Sequence, residues 1–156
     1  MDGDGSGDVS GGGRATFLGL PEPDGEPFDV VILPIPFEMT TSWGEGTEDG
    51  PAACIAASSQ VELYDPLLSE ELPCGLRIHT AEAWTSDAPT LLDQLDSIHE
   101  HLVPWMRGEV FPILLGGEHG ILPPTVRALA GHPALAGDLS DLTVVQIDAH
   151  ADLRDS

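Results

Sequence analysis

The chain contains no lysine. Its five basic residues are all arginines (Arg14, Arg77, Arg107, Arg127 and Arg154), set against 27 acidic residues, for a formal charge of −22 over 156 residues. A surface this poor in cations cannot neutralise phosphates, which excludes nucleic acid as a partner and argues equally against anionic membrane surfaces. The same field keeps the protein in solution, suits a salt-rich cytoplasm, and attracts small cationic molecules. Cysteine is scarce too. Cys54 and Cys74 are too few for a disulfide framework, so the expectation is two reduced, buried thiols in a cytoplasmic protein. No apolar run approaches the length that spans a bilayer, so no membrane partner is expected. Residues 1–8 have neither the basic nor the apolar region of a signal peptide.

Hydrophobic residues make up 41% of the chain, enough for the core of one domain or a large piece of one. Residues 1–14 are mostly Gly, Asp and Ser with almost nothing to bury, and read as a disordered acidic tail. Asp2, Asp4 and Ser6 alternate as in a calcium loop, but no glutamate closes it at the required spacing. Residues 15–156 then alternate between strand and helix. Strands are predicted over Phe28–Ile35, Leu76–His79, Glu109–Leu115 and Leu142–Ile147. Helices are predicted over Ala52–Tyr64 after Pro51, from Pro89 to Arg107 with Pro104 ending or kinking it, and over Pro123–Leu129. This alternation implies right-handed βαβ units and an α/β fold, a mostly parallel sheet apolar on both faces and covered by helices.

Ligands of such sheets gather outside the carboxyl ends of the strands. Three segments leave those ends: residues 36–50, the Gly116-Gly117-Glu118-His119 turn, and Asp148–Asp152. Gly116 and Gly117 are expected to take positive φ and aim His119 back over the sheet. Asp148, His150 and Asp152 alternate, so an extended backbone would present two carboxylates and an imidazole on one face. That donor set suits a divalent metal.

Leu115-Gly-Gly-Glu-His119 together with Asp148-Ala-His-Ala-Asp152 resembles the signature pair of the ureohydrolase family, which holds arginases and agmatinases. Thr16–Pro21, Pro36–Thr40 and Gly46–Ala53 look like successive agmatinase-type segments in their usual order, so the resemblance spans residues 16–156. It implies a three-layer αβα fold with a mostly parallel central sheet, represented here by the N-terminal portion of a single truncated domain. It implies two Mn2+ ions per complete site. His119, Asp148 and Asp152 would hold one ion and His150 the other, with Asp148 bridging. The two remaining aspartate ligands, the guanidinium-orienting carboxylate and the proton-shuttle histidine of the family belong to a later motif. His79, His99, His101 and His132 match no shuttle position and read as surface or packing residues. Two positions depart from the family pattern, Ile55 where arginine is common and Gly120 where serine is usual.

The resemblance further implies hydrolysis of a small cationic guanidino substrate, agmatine first, to putrescine and urea, by a protein that is a homo-oligomer when complete. Arg154 stands where arginases carry a carboxylate-binding asparagine, which favours agmatine; an arginine fork on a substrate carboxylate would instead favour guanidinobutyrate. Two other classes stay open. One is a non-catalytic fragment that associates with a full-length homologue through its sheet edge. The other is a deacetylase-type zinc hydrolase of similar architecture, which metal competition would distinguish.

Overall fold

The computed structural model describes residues 14–25 and 27–150. The tail reading over 1–14 therefore lies, except for Arg14, outside the described residues. In chain order the elements are β1 Val30–Ile35, α1 Gly50–Ser58, a hairpin of β2 Tyr64–Asp65 and β3 Glu70–Glu71, β4 Ile78–Thr80, α2 Leu91–Leu102, β5 Phe111–Gly116 and α3 Leu122–Leu129. The main sheet runs β4-β1-β5, and both outer strands lie parallel to β1. Val30 pairs with Ile78 on one side and Phe111 on the other, and the β5 ladder continues to Ile35 opposite Gly116.

Prolines fit this sheet because of where their missing N–H groups would point. Even-numbered residues of β1 bond toward β4, as Ala81 N–H on Ile32 O and Trp84 N–H on Pro34 O record. Pro34 thus lacks a donor where the β4 ladder has already ended at Thr80. Phe111 N–H donates to Asp29 O, so Pro112 one residue on turns its nitrogen to the outer edge of β5.

Alternation along β1 feeds two layers. Val31, Leu33 and Ile35 pack with Ile98 and Leu102 of α2 and Ala128 of α3, joined by Phe37, Trp84 and Met106. On the opposite face Pro34 meets Pro51 and Ile55 of α1 around a common cavity. Helices therefore flank a parallel sheet on both sides, the expected α/β arrangement. Each fully buried aliphatic side chain contributes about 1.5–3 kcal/mol.

Helix limits follow local chemistry. Thr90 caps α2, accepting Asp93 N–H at 3.2 Å while its hydroxyl donates to the Asp93 carboxylate at 2.6 Å. The helix stops at Leu102, short of the expected Arg107, because Pro104 two residues on supplies no N–H. Similarly α1 stops at Ser58, not Tyr64. The hydroxyls of Ser58 and Ser59 donate to Ile55 O and Ala56 O, and the N–H groups of Gln60 and Val61 tighten onto Ala57 O and Ser58 O. The chain then enters the β2–β3 hairpin, which the periodicity did not indicate.

Two expectations fail outright. Both cysteines are free, as expected, but exposed: Cys54 lies on the outward side of α1, off the buried Pro51–Ile55–Ser58 stripe, and Cys74 lies in a turn. Residues 142–147 form no strand among the described residues. They belong to neither sheet, and Val145 and Ile147 are 80% and 99% exposed. An apolar β-branched run becomes a strand when a neighbour takes its backbone groups and a layer covers its side chains, and the described residues place neither beside it.

Burial along α2 sets a test. Leu102→Ala should destabilise the protein by about 2–5 kcal/mol in urea denaturation, and Leu92→Ala by about 0.5 kcal/mol or less, since the two residues are 0% and 72% exposed. Equal losses would contradict this core.

Candidate functional site

Because β5 runs parallel to β1, the segment leaving β1 and the turn leaving β5 emerge on the same edge of the sheet. Gly117 N–H extends the ladder by one bond, to Ile35 O at 3.2 Å. Neither Gly116 nor Gly117 takes the positive φ expected of it. Their role is close approach. A Cβ on Gly117 would press on the Phe37 carbonyl oxygen and lie 3.0 Å from that of Thr47. One on Gly120 would lie 2.9 Å from the Phe37 ring, so even a small side chain there would crowd it. Residues 116–120 and 37–47 are thus pressed together, backbone on backbone at Gly117 and backbone on the Phe37 ring at Gly120.

Two carboxylates fasten this junction. Glu118 accepts the Thr40 N–H at 2.8 Å, and also the Met39 N–H and the Thr40 hydroxyl. Glu38 accepts the N–H groups of Gly46 and Glu48 at 2.8 and 2.9 Å and the Thr47 hydroxyl at 3.0 Å, closing residues 38–48 into a loop. The Glu48 N–H foremost, then the Thr47 hydroxyl and Gly46 N–H, hold the Glu38 carboxyl below its ordinary value of 4.5 against the opposing pull of desolvation. The sequence pattern assigns neither glutamate a role. The available signal was an acid followed at loop distance by Gly-Thr, whose N–H and hydroxyl groups are the donors a carboxylate collects.

His119 follows Glu118 at the start of a short 3-10 turn leading into α3. Its Nδ1 lies 3.4 Å from Asp148 Oδ2, and the Nδ1 of His150 lies 3.5 Å from Asp148 Oδ1. The two motifs therefore meet at Asp148. They do so by a different route from the one the alternation predicted: residues 149–150 bend, and Asp148 Oδ1 accepts the His150 N–H at 2.8 Å, fixing the carboxylate from within its own segment. That N–H, with both imidazoles and the Gln146 side chain, holds the Asp148 carboxyl below its ordinary range. Asp152 and Arg154 lie outside the described residues. Among the described residues no group of three His, Cys, Asp or Glu donors closes around one ion position; two His–Asp pairs share one carboxylate. A carboxylate flanked by imidazole nitrogens is a donor set that suits a divalent metal.

The remaining histidines fall elsewhere. His79 stacks on Phe28 at 4.5 Å and pairs with Glu22 at 2.7 Å, and His132 accepts the Ala134 N–H. His101 is kept toward the neutral form by burial. A cleft of about 400 Å³ lined by Asp29, Phe111 and His132 sits where the strands begin, the opposite end from His119, and carries no weight for this site. No helix among the described residues is long and apolar enough to cross a membrane.

An α/β sheet with a His/Asp cluster outside its strand ends defines a class, and comparison narrows it. The arginase family model matches residues 28–156. The chain is 39% identical over 131 residues to an N(1)-aminopropylagmatine ureohydrolase of Synechocystis, covering 81% of this chain and 41% of that protein. It is 32% identical to an agmatinase of Bacillus cereus, covering 86% of this chain and 44% of that one. In structure it resembles a hypothetical agmatinase from Burkholderia thailandensis, with TM-score 0.66, 27% identity, and coverage of 76% of this chain and 38% of the other. The chain belongs to the arginase family, and it spans less than half the length of these relatives.

Two measurements check the junction. Glu38 should titrate below 4.5 in carboxyl-resolved NMR. A depressed native pKa gives stability that is fully present above that ordinary value and lost as pH falls through the native one; titration at or above 4.5 contradicts the loop closure. Gly117→Ala should destabilise the protein by about 1–3 kcal/mol through overpacking, and a neutral effect in thermal unfolding would mean the two segments are not in contact.

Proposed function

We propose that this chain is the metal-binding N-terminal part of a manganese-dependent amidinohydrolase that acts on an agmatine-type substrate. The observation that carries the reading is the 3.4 Å approach of His119 to Asp148, which joins two distant motifs at one carboxylate. His119, Asp148, His150 and, from the family resemblance, Asp152 would hold two Mn2+ ions. Such a metal pair, when bound, lowers the pKa of water so that hydroxide is available near neutral pH.

The chain's own residues prepare for this. The His150 N–H fixes the rotamer of Asp148 and keeps it ionised, so it can face two imidazoles as an acceptor. The Gly117 contact brings residues 37–47 alongside the turn that bears His119, and the Glu118 carboxylate ties Met39 and Thr40 to it. Hydrolysis adds water to the guanidinium carbon, breaks its bond to the alkyl nitrogen, and returns a proton to the departing amine, giving urea and a primary amine. The absence of lysine and the charge of −22 favour a polycationic substrate at the encounter stage.

Agmatine and its N-aminopropyl derivative are preferred over arginine for two reasons. The relatives described above carry those substrates in their names, and Arg154 stands in place of a carboxylate-binding asparagine. A cytoplasmic homo-oligomer remains the expected setting. The non-catalytic alternative predicts a folded protein with no bound metal.

With added Mn2+, the full-length protein should release urea faster from agmatine or N(1)-aminopropylagmatine than from arginine or 4-guanidinobutyrate. His119→Ala and Asp148→Asn should each lower the rate by about 100-fold or more. Equal or faster turnover of arginine overturns the substrate reading. Preference for 4-guanidinobutyrate would assign Arg154 to a substrate carboxylate.

A further inference from the structure

The segment leaving β1 has no regular structure between Phe37 and Thr47, yet it is held at both ends by carboxylates. Glu38 folds it back on itself, and Glu118 ties it to the turn that bears His119. Gly117 and Gly120 let that turn come into backbone and ring contact with Phe37 and Thr47. The held segment presents Met39 and Trp43 to solvent, 42% and 95% exposed. Three donors converge on Glu118: two N–H groups and a hydroxyl, all from Met39 and Thr40. An ionised carboxylate has acceptors for all of them, whereas a glutamine would turn an NH2 group toward one.

We propose that Glu118 is a positioning residue. Through the backbone of Met39 and Thr40 it fixes residues 38–46 as a rigid wall beside His119, against which the alkyl-amine portion of the substrate lies. The substrate part of this inference rests on the amidinohydrolase reading above; the brace itself does not. A wall fixed before binding spares the substrate the entropy of ordering it, so loosening the wall weakens binding more than it slows the bond-breaking step.

The test uses the full-length, Mn2+-loaded protein as wild type, Glu118→Gln, Thr40→Val and Thr40→Ser. Three quantities are read: amide hydrogen exchange over residues 38–46, Mn2+ content by elemental analysis, and KM and kcat for agmatine. Glu118→Gln should speed exchange at Met39 and Thr40 by about tenfold or more, the loss expected when a charged acceptor is removed. KM should rise about tenfold, with kcat and Mn2+ content changing less than about threefold. Thr40→Val should give part of both effects, and Thr40→Ser, which keeps the hydroxyl, should behave as wild type. Unchanged exchange and KM in Glu118→Gln overturns the proposal. So does loss of Mn2+ at unchanged KM, which would make Glu118 a support for His119 alone. If the wild type releases no urea, the amidinohydrolase reading falls while the exchange rates still decide the brace. If Glu118→Gln does not fold, the Thr40 pair decides: faster exchange in the valine variant than in the serine variant supports the brace, and equal rates overturn it.

Discussion

The parallel ladder between β1 and β5 runs from Val30 opposite Phe111 to Ile35 opposite Gly116, and the geometry beyond its end depends on it. Two strands locked in one direction and one register release their chains at the same edge and height. The segment after Ile35 and the turn after Gly116 are therefore neighbours before any side chain acts. Val31, Leu33 and Ile35, packed on Ile98 and Leu102 of α2, keep that register from slipping, since a one-residue shift would turn all three β1 side chains away from this layer. Glycine then allows the two exits to close on each other, and His119 is carried along.

A chain without lysine must satisfy its acids in some other way. At this edge it uses backbone N–H groups and hydroxyls: Gly46, Thr47 and Glu48 for Glu38, Met39 and Thr40 for Glu118, and His150 for Asp148. These donors order each carboxylate and leave its negative charge in place. Arginines are spent elsewhere, Arg14 on Glu82 and Glu22 and Arg127 on Asp96. The result is a site edge with fixed anionic oxygens and no strong cation among its described partners, an environment that favours cations.

Much of this was legible in the sequence where local signals and tertiary demands agree. The apolar β-branched run of β1, the helical spacing of Leu91, Leu95, Ile98 and Leu102, and the Gly-Gly break after Leu115 each point to the element that forms. The meeting of His119 with Asp148 was legible through motif order and the strand-end rule, without the geometry. What failed depended on partners that a local pattern cannot see. Residues 142–147 carry a strand's composition but join neither sheet among the described residues. The serine pair at the end of α1 diverted carbonyls that the periodicity had assigned to helix. The glycines at 116 and 117 signalled a tight feature correctly, but the cause was contact with Phe37 and Thr47, residues distant in sequence. Glu118 was hidden for the same reason, since its donors come from the neighbouring strand's exit.

The central claim is that the exits of β5 and of residues 142–147 aim donors at one shared metal cluster through Asp148. Anomalous diffraction at the manganese edge, from crystals of the full-length protein grown with Mn2+, tests it most directly. The account predicts two peaks about 3.5–4 Å apart, with Asp148 between them, His119 on one and His150 on the other. Manganese bound elsewhere, or a pair of ions that Asp148 and His119 do not touch, would contradict it.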